Sequence, residues 1–190
     1  MKSKVELLTE YFREKQIEEE TISLLVNKFE FRKYDLGETI LAMGERTETI
    51  CLILKGLVRG YYMDEDGNEI TKCFSKENDW CCIYNYFSEE VSSFTIQAIE
   101  NVEVAVIHVA HLNHLIEENP QIRKLKDDMM QTVFLNAEKR VFSFASMDAR
   151  QRYLEFKNNN PSLCSRIKQE YLASYLGVTP SSLSRIKRDL

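Results

Sequence analysis

The residues best equipped for chemistry lie together near position 180. In TPSSLSRIKRDL, Thr179, Ser181, Ser182, Ser184, Arg185, Lys187 and Arg188 bring hydroxyls, guanidinium forks and an ammonium onto one short segment. Guanidinium forks match guanine edges or phosphate oxygens, ammoniums match phosphates, and hydroxyls serve either. Such a set is useful only if one face of a helix presents it to a nucleic acid.

The preceding residues supply that helix and its support. Gln169 to Leu190 reads as two short helices joined at Gly177. Leu172 and Leu176 are one turn apart, and Ala173 is small enough for a second helix to cross closely. Gly177 gives the permissive backbone of a tight corner, which Val178 plugs. Thr179 is a good N-cap and Pro180 suits the first helical position. Leu183 and Ile186 then face back, leaving Ser181, Ser184, Arg185 and Arg188 pointing out. This pattern predicts a helix-turn-helix whose second helix suits a DNA major groove; an ordinary helical hairpin is the competing reading. From Cys164 onward, five basic residues face two acids, a local charge of +3 in a chain of net charge −5, leaving −8 for the remainder. Attraction to phosphate must therefore come from this end.

Other reactive residues give weaker signals. DEDGN (Asp64–Asn68) alternates carboxylates, but its glycine stands too early for a calcium loop, and a hairpin turn is the better reading. His108, His111 and His114 are the only histidines; on a helix His111, His114 and Glu118 would share a face, as a polar surface in preference to a metal site. Five cysteines, Cys51, Cys73, Cys81, Cys82 and Cys164, show no metal spacing. Adjacent Cys81 and Cys82 are poor partners for each other or for one ion, so reduced cytosolic thiols and no metal or other cofactor are expected. Redox sensing by Cys81 or Cys82 is left open. The cassette Trp80, Ile83, Tyr84, Tyr86, Phe87, Phe94 reads as either a pocket or a filled core. No nucleophile with its base, phosphate-cradling loop or paired acids is present, so an enzyme is not expected.

An apolar content of 44% in 190 residues is enough for a real core. No apolar run approaches the ~20 residues of a membrane span, and the charged N-terminal stretch lacks a signal-peptide core. A cytoplasmic protein, off the membrane, is expected. Two helices between Val5 and Lys28 precede short strand-like runs from Phe29 to Ile107, predicting a β-sandwich or barrel. From Pro120 to Ser146 a long helix carries the stripe Ile122, Leu125, Met129, Val133, Ala137, Val141, Phe144. Leu125, Met129, Val133, Ala137 and Val141 are expected to meet a twin helix, because helix-turn-helix proteins commonly act as symmetric pairs.

This order of elements, with YDLGETILAMGERTETICLILKGLVRGYYMDEDGNEIT, QAIENVEVAVI, ARQRYLEF and LASYLGVTPSSLSRIKRDL, resembles the Crp/Fnr superfamily of bacterial transcription regulators. The resemblance implies an α+β fold. Residues 1–119 would form a cyclic-nucleotide-binding-like β-roll (jelly-roll-like) sensor with N-terminal helices, 120–146 a dimerisation helix, and 147–190 a helix-turn-helix domain. It implies a homodimer on a two-fold double-stranded operator, with RNA polymerase a candidate partner. Nucleotide-binding members carry a Gly-Glu pair and an Arg-Ser/Thr pair; here Cys82-Ile83 and Ser92-Ser93 stand in their places. No basic residue lies between Glu77 and Ala98, so a cyclic phosphate would lack a cationic partner. Cyclic AMP is therefore not the expected effector. An uncharged small molecule in a pocket of Trp80, Cys82, Ile83, Tyr84, Ser92 and Ser93 is. Arg185 occupies the family's matching position for a bidentate contact to guanine, whereas Pro180-Ser181 replaces the Arg-Glu common in relatives. The alternative is a ligand- or protein-binding β-roll module that holds DNA only weakly.

Overall fold

Alternation along one strand divides the β-domain into two cores. The computed structural model describes residues 2–88 and 90–190. In β3 (Thr49–Lys55), Ile50, Leu52 and Leu54 face one apolar cluster, while Cys51 and Ile53 face another. Its neighbour β8 (Val102–His108) divides likewise: Ala105 and Ile107 one way, Val102, Val104 and Val106 the other. Side chains of a strand point to opposite faces in turn, so a run apolar at nearly every position must be covered on both sides.

Two four-stranded sheets and a set of helices provide the cover. One sheet has the order β1-β8-β3-β6 and the other β2-β7-β4-β5. The remaining strands are β1 (Glu30–Tyr34), β2 (Thr39–Leu41), β4 (Val58–Met63), β5 (Glu69–Ser75), β6 (Trp80–Cys81) and β7 (Thr95–Ala98). β8 runs antiparallel to both β1 and β3, with Ile50 opposite Ile107 and Leu52 opposite Ala105. The outer face of this sheet lies under α1 (Lys4–Glu14), α2 (Glu19–Val26), α4 (Val109–Glu118) and the start of α5 (Pro120–Ser146). Leu8, Phe12, Ile22, Leu25, Leu112 and Ile122 close that core. The inner core joins it to Leu41, Val58, Phe94, Ile96 and Ala98. This jelly-roll-like β-core with a long helix and C-terminal helices is the α+β fold expected from the sequence.

Local chemistry explains several boundaries. Ser3 caps α1 reciprocally with Glu6: Glu6 N–H donates to Ser3 Oγ at 3.2 Å and Ser3 N–H to Glu6 Oε2 at 2.6 Å. Asp64 holds the DEDGN corner, its Oδ1 accepting from Asp66 N–H at 3.0 Å and Asn68 N–H at 2.8 Å. That carboxylate serves a hairpin turn, and the Asn68 side chain leads in holding its pKa below the ordinary value. The two-residue β6 and the short helix α3 (Tyr84–Ser88) fall within what the sequence presents only as an aromatic cassette. Among the described residues, no helix is long and apolar enough to cross a membrane.

Two compact units divide within α5: residues 1–60 with 74–130, and 61–73 with 131–190. Gly56 makes the tight turn from β3 to β4, with φ +97°. A Cβ there would stand 2.5 Å from Asn101 O and 3.0 Å from Val102 Cα, both backbone atoms that side-chain motion cannot relieve. Gly56→Ala should therefore lower stability by about 1–3 kcal/mol, seen as a lower urea midpoint with an unchanged slope.

Candidate nucleic-acid interface

The second unit contains α6 (Ala149–Asn159), α7 (Gln169–Leu176) and α8 (Pro180–Arg188). Gly177 adopts the left-handed conformation, φ 68° and ψ 37°, at the end of α7. Its N–H donates to Ser174 O at 3.1 Å and Val178 N–H donates to Ala173 O at 3.0 Å, so the terminal carbonyls are satisfied as the chain turns. Thr179 then caps α8 by accepting from Ser182 N–H at 3.1 Å, with Pro180 at the first turn. Leu172, Ala173, Leu176 and Leu183 are essentially inaccessible, and Ile186 is half-buried. The corner is held by this contact and by the caps.

Two arginines outside the motif fasten the end of α7. Arg152 donates from Nε to Leu176 O at 3.0 Å and from its Nη1 to Met147 O at 2.6 Å. Arg140 donates to Tyr175 O and lies over the Tyr175 ring, 3.9 Å from its centroid. Both guanidinium groups also lie over Phe144, at 4.3 Å for Arg140 and 4.7 Å for Arg152. Cations at a helix C-terminus oppose its negative dipole end, and the aromatic faces accept the same charge. Burial pushes the Tyr175 hydroxyl pKa up. On the other side of α7, Ser174 Oγ accepts from Thr71 N–H at 2.9 Å and donates to Glu69 O at 3.0 Å, tying the helix to the start of β5.

The seven expected DNA-contacting residues do not share one environment. Thr179, Ser181, Ser184, Arg185 and Arg188 are exposed. Ser182 is half-buried, accepting at Oγ from the Thr179 hydroxyl at 3.0 Å, so it supports the cap. Lys187 is half-buried, with Nζ over the Tyr153 ring at 5.8 Å. Ser184 Oγ accepts from Gln169 Nε2, which also donates to Pro180 O at 3.0 Å. Gln169 thus braces the first turn of α8 from the first turn of α7. Sequence reading passes over it because nothing local marks a glutamine as a cross-helix strut.

Two other expected groupings are corrected. Of the dimer stripe, Leu125 and Met129 are buried in the chain's own outer core, 6% and 7% exposed, and are already occupied. Val133, Ala137 and Val141 remain open, beside exposed Met130 and Phe134. The six pocket residues diverge. Trp80 donates from Nε1 to Tyr11 OH at 2.7 Å and packs with Ile83 against the outer core, whereas Cys82 belongs to the inner one. Burial pushes the Tyr11 hydroxyl up to about 12. Ser92 is buried, its hydroxyl donating to Phe94 O at 2.7 Å; Ser93 is exposed, and half-open Tyr84 stands edge-on to Phe94 with centroids 5.8 Å apart. Among the described residues they are divided between the two cores and the surface.

The reading of the thiols is corrected as well. Among the described residues, His111, His114 and Glu118 do not gather as three ligands, although His114 Nε2 is 3.7 Å from Glu118 Oε1. Cys51, Cys81 and Cys82 do gather, their sulfurs within 4.8 Å of one another. Hydrogen bonds from Cys81 and then Cys82 hold the Cys51 thiol well below its ordinary pKa. Hydrogen bonding to Cys51 pushes the other two well above. Sequence reading also passes over Arg59, a fully buried cation on β4 that is engaged within the chain.

Residues 31–119 match the cyclic nucleotide-binding domain family. The cAMP-activated global transcriptional regulator CRP of Pasteurella multocida is 26% identical over 133 residues, covering 70% of this chain and 64% of that protein. This chain thus spans less than two thirds of that regulator's length. The nitrogen fixation regulation protein FixK of Bradyrhizobium diazoefficiens is 26% identical over 164 residues, covering 80% and 68%. These matches make the chain similar in sequence to transcription regulators of the Crp/Fnr family. FixK2 from Bradyrhizobium japonicum shares the fold with a TM-score of 0.75 at 20% identity, over 85% of this chain and 84% of that one.

In this chain the arginine clamp on α7 is the feature most open to a stability test. Arg152→Met keeps the aliphatic stem but removes two hydrogen bonds and the cation over Phe144. It should cost about 1.5–3 kcal/mol, read by thermal unfolding. Arg150→Met, on the exposed side of α6, should stay within about 0.5 kcal/mol of the parent.

Proposed function

We propose that this chain is a homodimeric transcription regulator that reads DNA through α8, under the control of an effector other than cyclic AMP. The observation that carries this reading is the exposed edge of α8. Ser181, Arg185 and Arg188 stand free of the supporting core while Leu183 is fully buried beneath them. Arg185 takes the bidentate contact to guanine, Arg188 and Lys187 neutralise phosphates, and the Thr179–Ser181 hydroxyls fix the helix start against the backbone. A segment of charge +3 in an otherwise acidic chain aims that attraction at one end. The functional division remains a sensor at 1–119, a dimer helix at 120–146 and a reader at 147–190, and the operator is two-fold, with half-sites about 10–10.5 bp apart or a multiple of that.

The open part of α5 supports the dimer. Met130, Val133, Phe134, Ala137 and Val141 recur at three- and four-residue steps and are all exposed. A row of this kind is what two symmetry-related helices bury between them. An effector shifts such a dimer only by binding one arrangement of it more tightly. The relative named above as cAMP-activated does not transfer that ligand here, since the 77–98 segment offers no cation to a cyclic phosphate.

Binding to selected duplexes, followed by fluorescence anisotropy over a salt series, tests the reading. The parent should enrich a palindrome and weaken steeply with salt. Arg185→Ala should lose about 1–3 kcal/mol of discrimination at one base pair in each half-site. Equal binding of both proteins to every duplex would remove α8 as a reader. For the dimer, Val133→Glu with Val141→Glu should convert a sedimenting dimer to a folded monomer at micromolar concentration. An unchanged mass with an unchanged far-ultraviolet spectrum would take α5 out of the interface.

A further inference from the structure

The three buried thiols carry an inference of their own. Cys51 and Cys81 face each other across the antiparallel β3–β6 pair. Ordinary alternation would send the next side chain, Cys82, to the opposite face. Instead Cys82 has φ +62°, a left-handed backbone unusual for a residue with a Cβ, and its sulfur turns back toward the other two. All three are nearly inaccessible, at 3%, 5% and 4% exposure, within a core of Ile53, Val106, Phe94 and Ile96. Among the described residues, no other set of three histidine, cysteine or carboxylate groups converges in this way. Plain core packing asks nothing of three sulfurs beyond volume, and a left-handed cysteine is a costly way to supply volume.

We propose that Cys51, Cys81 and Cys82 form a three-sulfur site for a thiophilic ion, and that the ion is trivalent, of the arsenic(III) class. Sulfurs held about 2.3 Å from one ion stand roughly 3.5–4 Å from each other, a spacing this cluster reaches with small side-chain adjustments. Three sulfur donors select soft ions. Zinc requires a fourth ligand, and among the described residues no further histidine, cysteine or carboxylate joins the group. Charge decides among the rest. Three thiolates leave −2 on copper(I) and −1 on a divalent ion, but zero on a trivalent one; Arg32, whose charge acts on Cys51, is already paired with Glu30 at 3.3 Å, and a charge left uncompensated in an apolar core is expensive. Arsenous acid is itself uncharged near neutral pH. As(OH)3 + 3 R–SH gives As(SR)3 + 3 H2O: three As–O and three S–H bonds break, three As–S bonds and three waters form, and nothing is oxidised or reduced. The site lies in the β-domain alone and does not rest on the DNA reading.

The experiment uses full chain in which Cys73 and Cys164 are serine, reduced and titrated with arsenite, copper(I) and zinc(II) in parallel. Bound sulfur is read by loss of titratable thiols, by the sulfur-to-arsenic absorption band and by intact mass. The expected result is one arsenic per chain, with all three thiols lost together. Cys82→Gly removes the sulfur while relieving the backbone, so it keeps the fold. It should weaken binding by more than the roughly 10–100-fold that loss of an outer-shell partner costs. Cys51→Ser should do the same, with thermal unfolding confirming a folded chain. Arsenite bound through fewer than three thiols, an unaffected Cys82→Gly variant, or binding of copper(I) or zinc(II) in preference to arsenite would each overturn the proposal.

Discussion

The β-domain depends on one constraint: β3 and β8 are covered on both faces. A strand exposed on one side tolerates polar substitution at every second position, whereas Ile50 to Leu54 and Val102 to Ile107 have almost no such freedom. Each residue is committed to one core or the other, and a slip of one residue would exchange the two sets entirely. The helices are consequences of that commitment. Ile50, Leu52, Leu54, Ala105 and Ile107 form an apolar surface that water cannot be left to cover, and α1, α2, α4 and the first turns of α5 bury it. The price of the arrangement is that Ile122, Leu125 and Met129 are consumed internally.

The helix-turn-helix rests on a different balance. Its helices are short, eight and nine residues, and helices of that length are marginal without tertiary support. Leu172, Leu176 and Leu183 supply the apolar part, but the carbonyls at the end of α7 still require partners. Arg140 and Arg152 provide them while stacking on Phe144, the ring that a Cβ at Gly177 would approach to 2.8 Å. The glycine is therefore required twice, by its left-handed backbone and by the ring packed against it. Cations used in this way support the helix from behind and leave Arg185 exposed on α8.

What could be read from sequence follows the range of the interaction. The helix-turn-helix was legible because its determinants lie within twenty residues of one another: a left-handed glycine, a capping threonine, a helix-starting proline and one row of leucines. The strands were legible from alternation. Periodicity also found the stripe on α5, but a repeat reports only that a face is apolar, not what covers it; Leu125 and Val133 are equivalent in sequence and opposite in fate. The expected pocket residues part for a related reason: Trp80 and Cys82, two positions apart, belong to different cores. Arg152 and Gln169 act on carbonyls and hydroxyls 11 to 24 residues away, and no local pattern encodes that reach. The thiol cluster was hidden most completely. It requires Cys51 to pair across strands with Cys81 and Cys82 to leave the regular backbone, and spacing alone argues against both.

Packing limits the kind of effector that the interior can accept. A nucleotide needs a cavity of several hundred cubic ångströms with polar groups converging on it. Where the sequence suggested one, the side chains are divided between two apolar cores, with the Ser92 hydroxyl donating to Phe94 O. Creating such a space would displace Phe94 or Trp80, each worth several kcal/mol of packing. An ion that replaces three thiol protons needs almost no space and breaks little apolar contact. It would also tie β3, β6 and the backbone at Cys82 together more firmly than the strand pairing, sulfur hydrogen bonds and packing already do. A small ligand can therefore bias a strand arrangement without the protein keeping an open pocket, provided that its donors are soft, buried and already gathered.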